Sequence, residues 1–369
     1  MEKDQYFMKL ALEMSASAKG KTNPNPIVGA VIVKDGVIVG SGIHRKAGEP
    51  HAEVHAFKMA GSHAEGATLY VTLEPCSHYG KTPPCANLVK DSKVARVVVA
   101  TTDPNPEVAG RGIQLLRNAG IEVEVGVLEE EAKKLNERFI HNMTTGLPFV
   151  ISKFAMTLDG KIATHNGHSK WITSESARKE VHHLRNEIDG ILVGVGTVIA
   201  DNPALTTRLP EKQGKNPTRI ILDTNLRTPI DSQVLQTVAA KTIIVTSDEV
   251  EMERAKPFEA KGVKLIFVSK ATNGLDLYAA LRELYRLGIT DILVEGGGAV
   301  NASFLNAGLI DKYYIYIAPK VLGGKDSITP FTGPNPDTMI AAKHLDFDDF
   351  QKLGEDIRII AYPKQGDEK

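Results

Sequence analysis

The pattern of apolar and polar positions before residue 146 switches repeatedly between helical and strand-like periods. Residues 1–20 place Phe7, Leu10, Ala11 and Met14 at helical spacing, which predicts an amphipathic helix with these side chains on one face. The later patterns predict strands at 28–33, 37–43, 67–73, 96–101 and 121–127, and helices at 51–60, from 84, at 112–118 and at 128–143. This alternation is typical of an α/β domain with helices on both faces of a sheet.

A break at residues 144–148, Thr-Thr-Gly-Leu-Pro, separates this pattern from a second one. Because glycine and proline end helices, we place a domain boundary at about residue 146. The second pattern predicts strands at 149–155, 191–195, 219–222, 242–246, 263–268, 292–294 and 313–318, and helices at 174–189 (with Ser174 as N-cap), 249–260, 275–287 and 299–308. The chain is therefore predicted to form two α/β domains, 1–146 and 147–369.

Two polar turns interrupt the first domain. Residues 22–26, Thr-Asn-Pro-Asn-Pro, cannot form a helix and have few backbone donors, which predicts a rigid loop able to present side chains to a pocket. Residues 34–36, Lys-Asp-Gly, lie between two β-branched runs and predict a hairpin in which Gly36 supplies the positive φ.

The balance of charged residues indicates which kind of molecule the protein binds. Lysine and arginine total 44 and aspartate and glutamate 45, a formal charge of -1, so no overall positive field attracts nucleic acid, and a small-molecule substrate is favoured. The first residues do not resemble a signal peptide, and no run of about 18 apolar residues predicts a membrane span. The two cysteines are expected to be reduced thiols rather than a disulfide, and the protein to be cytoplasmic.

Four residues of the first domain have the chemistry of a hydrolytic zinc centre. His51, Cys76 and Cys85 offer one imidazole and two thiolates, which leaves a fourth position for water, and Glu53 can carry the proton. Each ligand alone would more often be an ordinary buried or surface residue. Together, a His-Ala-Glu at a helix start, a Pro-Cys after an apolar strand and a cysteine at another helix start predict a deaminase site.

The spacing of the two cysteines departs from the usual zinc-deaminase signature. That signature has Pro-Cys-x-x-Cys, whereas here eight residues separate Cys76 from Cys85. The inserted residues include side chains able to donate to a phosphate, namely Ser77, His78, Lys81 and Thr82.

Two glycine clusters in the second domain can let a backbone approach a phosphate. They are residues 194–197, Gly-Val-Gly-Thr, and 295–298, Glu-Gly-Gly-Gly, and each follows a predicted strand. Neither is a Rossmann fingerprint, because Ile199 stands where the third glycine after Gly194 would be. Either cluster taken alone is more typical of a tight connection between a strand and a helix than of a phosphate site.

The motifs HAEVHA, TLEPCSHYGKTPPC, TNPNPIVGAVIV and DPNPEVAGRG resemble the deaminase domain of the bifunctional riboflavin-biosynthesis family. Members of that family are diaminohydroxyphosphoribosylaminopyrimidine deaminase / 5-amino-6-(5-phosphoribosylamino)uracil reductases. The resemblance implies a cytidine-deaminase-like three-layer α/β/α fold and a substrate that is a ribosyl 5-phosphate. It also implies substrate contacts by Asn25, His44 and Lys81; the alternative for each is a solvated loop residue.

The motifs SKFAMTLDGKIA, SKWIT, ILVGVGTVIADNPALTTR, ILDT and VEGGGAVNASFL resemble the reductase domain of the same family. The resemblance implies a dihydrofolate-reductase-like α/β fold that uses NADPH. The residues it assigns to NADPH are Ala155, Trp171, Thr197, Asp201, Gly297, Gly298, Ala299, Val300, Asn301, Ala302 and Ser303. The residues it assigns to the aminouracil substrate are Ser169, Leu205, Arg208 and Glu295. Lys153 lies in the first predicted strand of the second domain and Asp159 just after it, and both could approach substrate or simply be solvated.

The expected function is a two-step conversion. Zinc-activated water deaminates 2,5-diamino-6-ribosylamino-4(3H)-pyrimidinone 5-phosphate, and NADPH then reduces the ribosyl chain of the product to ribityl. The resemblance also implies a homo-oligomer. Two alternatives remain open from the residues alone: a nucleic-acid or nucleoside deaminase with an accessory domain, and a non-catalytic ligand-binding protein that kept the fold.

Overall fold

The protein divides into two compact units, Met1–Gly146 and Leu147–Lys369. The structure, a computed structural model, describes residues 2–77, 83–105, 109–210, 214–236, 240–272, 274–333 and 336–364. No helix in these ranges combines the length and the apolar character that a membrane crossing requires.

Unit 1 alternates helices and strands. Its elements are α1 (Glu2–Ala16), β1 (Gly29–Lys34), β2 (Val37–Ile43), α2 (Ala52–Ala60), β3 (Thr68–Val71), α3 (Cys85–Asp91), β4 (Arg96–Val99), α4 (Arg111–Asn118), β5 (Glu122–Val125), α5 (Glu129–Leu135) and α6 (Glu137–Thr145). The strands form one sheet in the order β2-β1-β3-β4-β5. β1 pairs antiparallel with β2 and β3, whereas β3, β4 and β5 run parallel, so the carboxyl ends of β3 and β4 meet at one edge.

Alternating side chains of the sheet point into two separate cores. Ile32, Leu69 and Val97 pack with α2, α3 and α4 on one face, while Val31 and Val98 pack with α1 and α5 on the other. The three-layer arrangement predicted for this unit is therefore confirmed.

Two local predictions for unit 1 were wrong. In α1 the buried face is Phe7, Met8, Ala11, Leu12 and Ser15, so Leu10 lies on the flank of the helix rather than at the centre of its apolar face. The single helix expected at 128–143 is two helices, because the backbone leaves the helical conformation at Asn136, with φ -105° and ψ 19°. The side chain of this residue is engaged by the backbone of Ile27.

Unit 2 is a second α/β unit. Its elements are β6 (Phe149–Thr157), α7 (Glu175–Glu187), β7 (Gly190–Gly194), α8 (Val195–Asp201), β8 (Thr218–Leu222), α9 (Gln233–Gln236), β9 (Thr242–Ser247), α10 (Met252–Glu259), β10 (Lys264–Val268), β11 (Lys270–Ala271), β12 (Gly274–Leu275), α11 (Leu277–Arg286), β13 (Asp291–Val294), α12 (Gly298–Asn306), β14 (Lys312–Ala318), β15 (Leu345–Leu353) and β16 (Asp356–Pro363). Ser174 is the N-cap of α7, as predicted, and its Oγ accepts from the Ala177 amide.

The main sheet of unit 2 has the order β10-β9-β8-β7-β13-β6-β14-β16-β15 among the described strands. The strands from β10 to β14 run parallel, and β16 and β15 add antiparallel at the far edge. One face packs against α11 and α12, and the other against α7, α8, α9 and α10. The carboxyl ends of β7 and β13 are adjacent, which brings the two glycine clusters to the same edge.

Candidate active sites

The predicted zinc ligands converge at one end of the unit 1 sheet. His51 Nδ1 lies 3.3 Å from Cys85 Sγ and 3.7 Å from Cys76 Sγ, and the three ligand atoms lie within 4.8 Å of one another. His51 is the N-cap of α2 and Cys85 is the first residue of α3, so two helix starts face each other as the sequence indicated. Both cysteines are free thiols.

These distances fit a tetrahedral metal. With Zn–S near 2.3 Å and Zn–N near 2.0 Å, tetrahedral zinc holds its ligand atoms about 3.5–3.8 Å apart. The donor set also suits zinc, since one neutral imidazole and two thiolates leave a fourth position open. Hydrogen bonds from Cys85 and His51 lower the pKa of the Cys76 thiol, which favours the ligating thiolate at Cys76.

Glu53 lies beside the three ligands, and one of its carboxylate oxygens accepts no hydrogen bond from the described residues. Its side chain is 3% exposed, and Oε2 is buried without a hydrogen-bond partner among the described residues. Burial raises the pKa of this carboxyl group, so it can hold a proton as well as accept one. A buried carboxylate oxygen with no protein partner is an acceptor reserved for a ligand.

A close contact between α2 and β2 positions His51 and Glu53. A Cβ atom on Gly42 would lie 2.3 Å from the Ala52 carbonyl oxygen, so only glycine allows the helix to pack this closely on the strand. The first turn of α2 is thereby held against the sheet.

A buried carboxylate also fixes the segment that carries Cys76. Glu74 Oε1 accepts from the Gly112 and Ile113 amides at 2.8 and 3.3 Å. Its Oε2 accepts from Gly110 and Asp103 at 2.8 and 3.3 Å. Glu74 therefore joins the end of β3 to the start of α4 and to the loop after β4, and it does so two residues before a metal ligand.

Two of the ligands, His51 and Cys76, line a cleft of about 470 Å³ together with Glu53, Asn25 and His44. His44 is 2% exposed, and its Nδ1 lies 3.2 Å from the Pro50 carbonyl oxygen, which can only accept. Nδ1 therefore carries the proton, and Nε2 accepts from Asn25 Nδ2 at 3.2 Å. This leaves the Asn25 carbonyl oxygen as an acceptor for a ligand. His78, Lys81 and Thr82 lie outside the described residues.

The two glycine clusters of unit 2 meet at the carboxyl edge of its sheet. A Cβ atom on Gly297 would lie 3.8 Å from Thr197 Oγ1, and one on Gly194 would lie 2.7 Å from Val300 Cγ2. Gly297 is the N-cap of α12 and no side chain caps it, so the amides of this helix start are available to an anion. Asp201 ends α8 on the exposed surface.

Some of the side chains assigned to NADPH binding form hydrogen bonds within the protein. Asn301 is fully buried and its Nδ2 donates to the Pro330 carbonyl oxygen at 3.0 Å, while Ser303 Oγ donates to Ala299 O at 2.9 Å. Ala302 is also buried. The Asn301 and Ser303 side chains are thus hydrogen-bonded within the protein, whereas Ala299 is exposed.

Trp171 lies on the surface of unit 2, with 64% of its side chain exposed. The Arg178 guanidinium lies 4.5 Å from its ring centroid and donates to the Thr173 carbonyl oxygen. Lys320 Nζ donates to the carbonyl oxygens of Trp171 and Ile172 at 2.8 and 2.7 Å. Arg178 thus contacts the indole ring, and Lys320 fixes the backbone of Trp171 and Ile172.

Glu295 is the centre of a buried ion network. Arg185 contacts both of its carboxylate oxygens, at 2.7 and 2.9 Å, and Lys153 Nζ lies 3.5 Å from Oε2. Although burial opposes ionisation, Arg185 and Lys153 lower the pKa of Glu295 to about 2. Arg185 also donates to the Thr206 carbonyl oxygen at 3.1 Å, which ties the network to the segment containing Leu205.

Sequence reasoning missed Arg185 and His182. They lie one turn apart on α7, and His182 Nδ1 accepts from the Arg208 amide at 3.3 Å. Burial, with Arg185 and Arg208 nearby, lowers the pKa of His182 to about 4. The signal available in the sequence was this His-x-x-Arg spacing, which places both side chains on one helix face.

The remaining predicted residues lie around this network or near it along the chain. Arg208 is exposed beside His182, and Leu205 is buried with φ 50°. Ala155 and Ser169 are partly buried. The Asp159 carboxylate is hydrogen-bonded within the protein, where it accepts from the Leu322 and Gly323 amides at 3.0 and 2.7 Å.

Comparison with known proteins separates the two units by family. Residues 1–101 match the cytidine and deoxycytidylate deaminase zinc-binding region, and residues 148–359 match the RibD C-terminal domain. The riboflavin biosynthesis protein RibD of Bacillus amyloliquefaciens is 47% identical over 363 residues, which cover 98% of this chain and 97% of that protein.

Two solved structures share the fold of the whole chain. RibD of Acinetobacter baumannii superimposes with a TM-score of 0.88 at 40% identity and covers 99% of both chains. A diaminohydroxyphosphoribosylaminopyrimidine deaminase/5-amino-6-(5-phosphoribosylamino)uracil reductase of Thermotoga maritima gives a TM-score of 0.86 at 41% identity, over 98% of this chain and 99% of that one. Unit 1 is cytidine-deaminase-like, unit 2 is the dihydrofolate-reductase-like reductase domain, and zinc and NADPH are the cofactors of these families. The chain belongs to the RibD family of bifunctional deaminase/reductases of riboflavin biosynthesis.

Proposed function

We propose that unit 1 deaminates 2,5-diamino-6-ribosylamino-4(3H)-pyrimidinone 5-phosphate and that unit 2 reduces the resulting 5-amino-6-(5-phosphoribosylamino)uracil with NADPH. The observation that carries the first half is the meeting of His51, Cys76 and Cys85 beside Glu53, whose Oε2 has no hydrogen-bond partner among the described residues. The name of the Thermotoga relative supplies the substrate for each half.

In the deaminase site, His51, Cys76 and Cys85 would hold the zinc. When bound, zinc supplies a water that is acidic enough to act as a nucleophile at neutral pH. Glu53 takes the proton from that water and passes it to the departing amino group, so that ammonia rather than an amide anion leaves. Its buried, partnerless Oε2 and its raised pKa suit both halves of this transfer.

Asn25, His44 and Lys81 are proposed to bind the substrate of this site. The Pro50 carbonyl fixes the His44 tautomer, and His44 Nε2 in turn accepts from the Asn25 amide nitrogen. Asn25 Oδ1 is then an acceptor for a ring or amino N–H of the pyrimidine. We propose that Lys81, which lies outside the described residues, contacts the phosphate.

In the reductase site, NADPH is proposed to lie along the carboxyl edge of the unit 2 sheet. Supporting this, the amides at the start of α12 and Thr197 lie together beside the glycine backbones, where a phosphate can approach closely. When bound, the nicotinamide supplies the hydride. Trp171 would cover the cofactor, and Ala155 and Asp201 would border it.

Glu295, Ser169, Leu205 and Arg208 are proposed to bind the aminouracil ribosyl phosphate. Arg208 suits the phosphate, because its guanidinium can donate two parallel hydrogen bonds. Reduction of the ring-opened imine at the ribose anomeric carbon needs a hydride at carbon and a proton at nitrogen. Lys153, whose ammonium lies 3.5 Å from Glu295, is our candidate for holding that proton.

We also propose a cellular location and an oligomeric state. The metal-binding role of Cys76 and Cys85 requires reduced thiols, which supports a cytoplasmic location. The family resemblance supports a homo-oligomer, which light scattering of the purified protein would test.

The Glu53→Gln variant tests the division of labour. It should release no ammonia from the diaminopyrimidine substrate while oxidising NADPH at the wild-type rate when given the aminouracil ribosyl phosphate. A matched control is Glu65→Gln, an exposed carboxylate on the same unit, which should keep both activities. Unchanged ammonia release in Glu53→Gln would contradict the proposal.

A further inference from the structure

The side chain of Asn136 pairs with Ile27, the residue that directly follows the polar loop 22–26 beside the deaminase cleft. Asn136 Oδ1 accepts from the Ile27 amide at 2.8 Å, and Asn136 Nδ2 donates to the Ile27 carbonyl oxygen at 2.9 Å. The two residues are 109 positions apart, and Asn136 is 2% exposed. The carboxamide thus pairs with both backbone polar groups of one residue, as a neighbouring strand would.

The loop needs such a partner because of its composition. Pro24 and Pro26 flank Asn25 and have no N–H, so the backbone on both sides of Asn25 cannot donate hydrogen bonds. The Asn25 amide donates to the Thr22 carbonyl oxygen at 2.8 Å within the turn. The first backbone donor after Pro26 is Ile27, and Asn136 engages both of its polar groups.

Asn136 contributes to the cleft in a second way. It is the residue at which the helix predicted over 128–143 divides, and α6 begins immediately after it. Phe139, one turn further along α6, lines the same cleft as Asn25 and His44. The side chain of Asn136 therefore fixes the distance between the loop that carries Asn25 and the helix that carries Phe139.

We propose that Asn136 is a positioning residue for substrate binding in the deaminase site. It touches neither the metal ligands nor Glu53, and it acts by holding Asn25 at the pose in which His44 orients its amide. This inference rests on the proposed function of unit 1, and it assigns a role to a residue outside the cleft.

Two substitutions separate the parts of the contact. Asn136→Ala removes both hydrogen bonds, whereas Asn136→Asp nearly keeps the volume and the acceptor but loses the donor to the Ile27 carbonyl oxygen. Because a misplaced binding group can cost up to about 100-fold, we expect the deaminase KM to rise about tenfold or more in Asn136→Ala and by a smaller factor in Asn136→Asp. Zinc content and kcat should stay close to wild type.

The control must destabilise the same helix without touching Ile27. Ala132→Gly meets this requirement, since Ala132 is fully buried in α5 and glycine lowers helix stability. A purely structural role of Asn136 would lower the folded fraction, which reduces apparent kcat and zinc content together and leaves KM unchanged, as in the control.

Binding without turnover gives a second readout. In a Glu53→Gln background, calorimetry with the diaminopyrimidine ribosyl phosphate should show affinity at least about tenfold weaker when Asn136→Ala is added, and weaker by a smaller factor when Asn136→Asp is added. NADPH oxidation with the aminouracil ribosyl phosphate should be unchanged and reports on unit 2 alone. Equal KM and equal affinity with and without the Asn136 substitutions would overturn the proposal, and so would losses matched by Ala132→Gly. Failure of wild-type protein to release ammonia would instead refute the proposed function of unit 1.

Discussion

The carboxylate of Glu295 and the guanidinium of Arg185 form a two-point ion pair, with contacts of 2.7 and 2.9 Å. Both side chains are largely buried, at 10% and 13% exposure. The pair joins the end of β13 to α7, and through the Thr206 carbonyl it also holds the segment that carries Leu205 and Arg208. Its integrity should therefore decide whether the reductase site is assembled.

Arg185→Met should abolish NADPH oxidation and leave ammonia release unchanged. Removing one partner of a buried pair leaves an uncompensated charge and costs about 3–5 kcal/mol, here in the stability of unit 2. The exposed Lys179 on the same helix provides the control Lys179→Met, which should keep both activities. Normal reductase activity in Arg185→Met would show that the pair is not needed to form the site.

The low pKa of Glu295 predicts how the stability of unit 2 changes with pH. Its folded pKa, about 2, is below the usual glutamate value of about 4.3, so ionisation stabilises the folded state. This contribution is fully present above about pH 5 and is lost progressively as pH falls towards 2. Trp171 is the single tryptophan of the chain and reports on unit 2.

Urea unfolding followed by Trp171 emission should therefore show wild-type stability falling between pH 5 and pH 3, and a shallower fall in Glu295→Gln. Parallel pH profiles for the two proteins would mean that this carboxyl group titrates alike in the folded and unfolded states.

Zinc removal should separate the two activities. A chelator strong enough to remove the metal should stop ammonia release and leave reduction of the aminouracil intact, because the ligands His51, Cys76 and Cys85 all belong to unit 1. Cys85→Ser should do the same, with metal analysis showing loss of bound zinc. Zinc remaining at one ion per chain in Cys85→Ser would place the metal elsewhere.

Trp171 should also report NADPH binding directly. Trp171 is 64% exposed, Arg178 contacts its ring and Lys320 holds its backbone, so a bound cofactor can lie against the exposed part of the indole. Reduced nicotinamide absorbs where tryptophan emits, and titration with NADPH should quench the emission in a saturable way. Calorimetric binding of NADPH with no change in emission would place the cofactor away from Trp171.

Glu74 should be a main determinant of unit 1 stability. Its carboxylate accepts from the backbone amides of Gly110, Gly112, Ile113 and Asp103. Glu74→Ala leaves these donors without their acceptor, which should destabilise unit 1 by about 2–4 kcal/mol and weaken zinc retention at neighbouring Cys76. Calorimetric unfolding checks this, with Glu65→Ala as the exposed control; equal stabilities of the two variants would contradict it.

The zinc centre could be predicted from sequence because its geometry is local. His51 and Cys85 begin helices and Cys76 follows a strand, so each element end fixes one ligand. The Arg185–Glu295 pair could not be predicted in this way, because 110 residues separate its members and only the strand order places them together.

Two other features were missed for physical reasons. The helical pattern over 128–143 is continuous in sequence, and only the contact of Asn136 with the distant Ile27 shows why it divides. β15 was not predicted, because an edge strand carries many charged residues, among them Asp346 and Asp349, and lacks the apolar run that marks buried strands.

The most direct test of the central claim supplies wild-type protein with the diaminopyrimidine ribosyl phosphate and NADPH while ammonia and NADPH oxidation are followed separately. We expect one ammonia to be released and one NADPH to be oxidised per substrate molecule. Ammonia should appear first, and it should also appear when NADPH is omitted. Ammonia without any NADPH oxidation, or oxidation that precedes ammonia release, would contradict it.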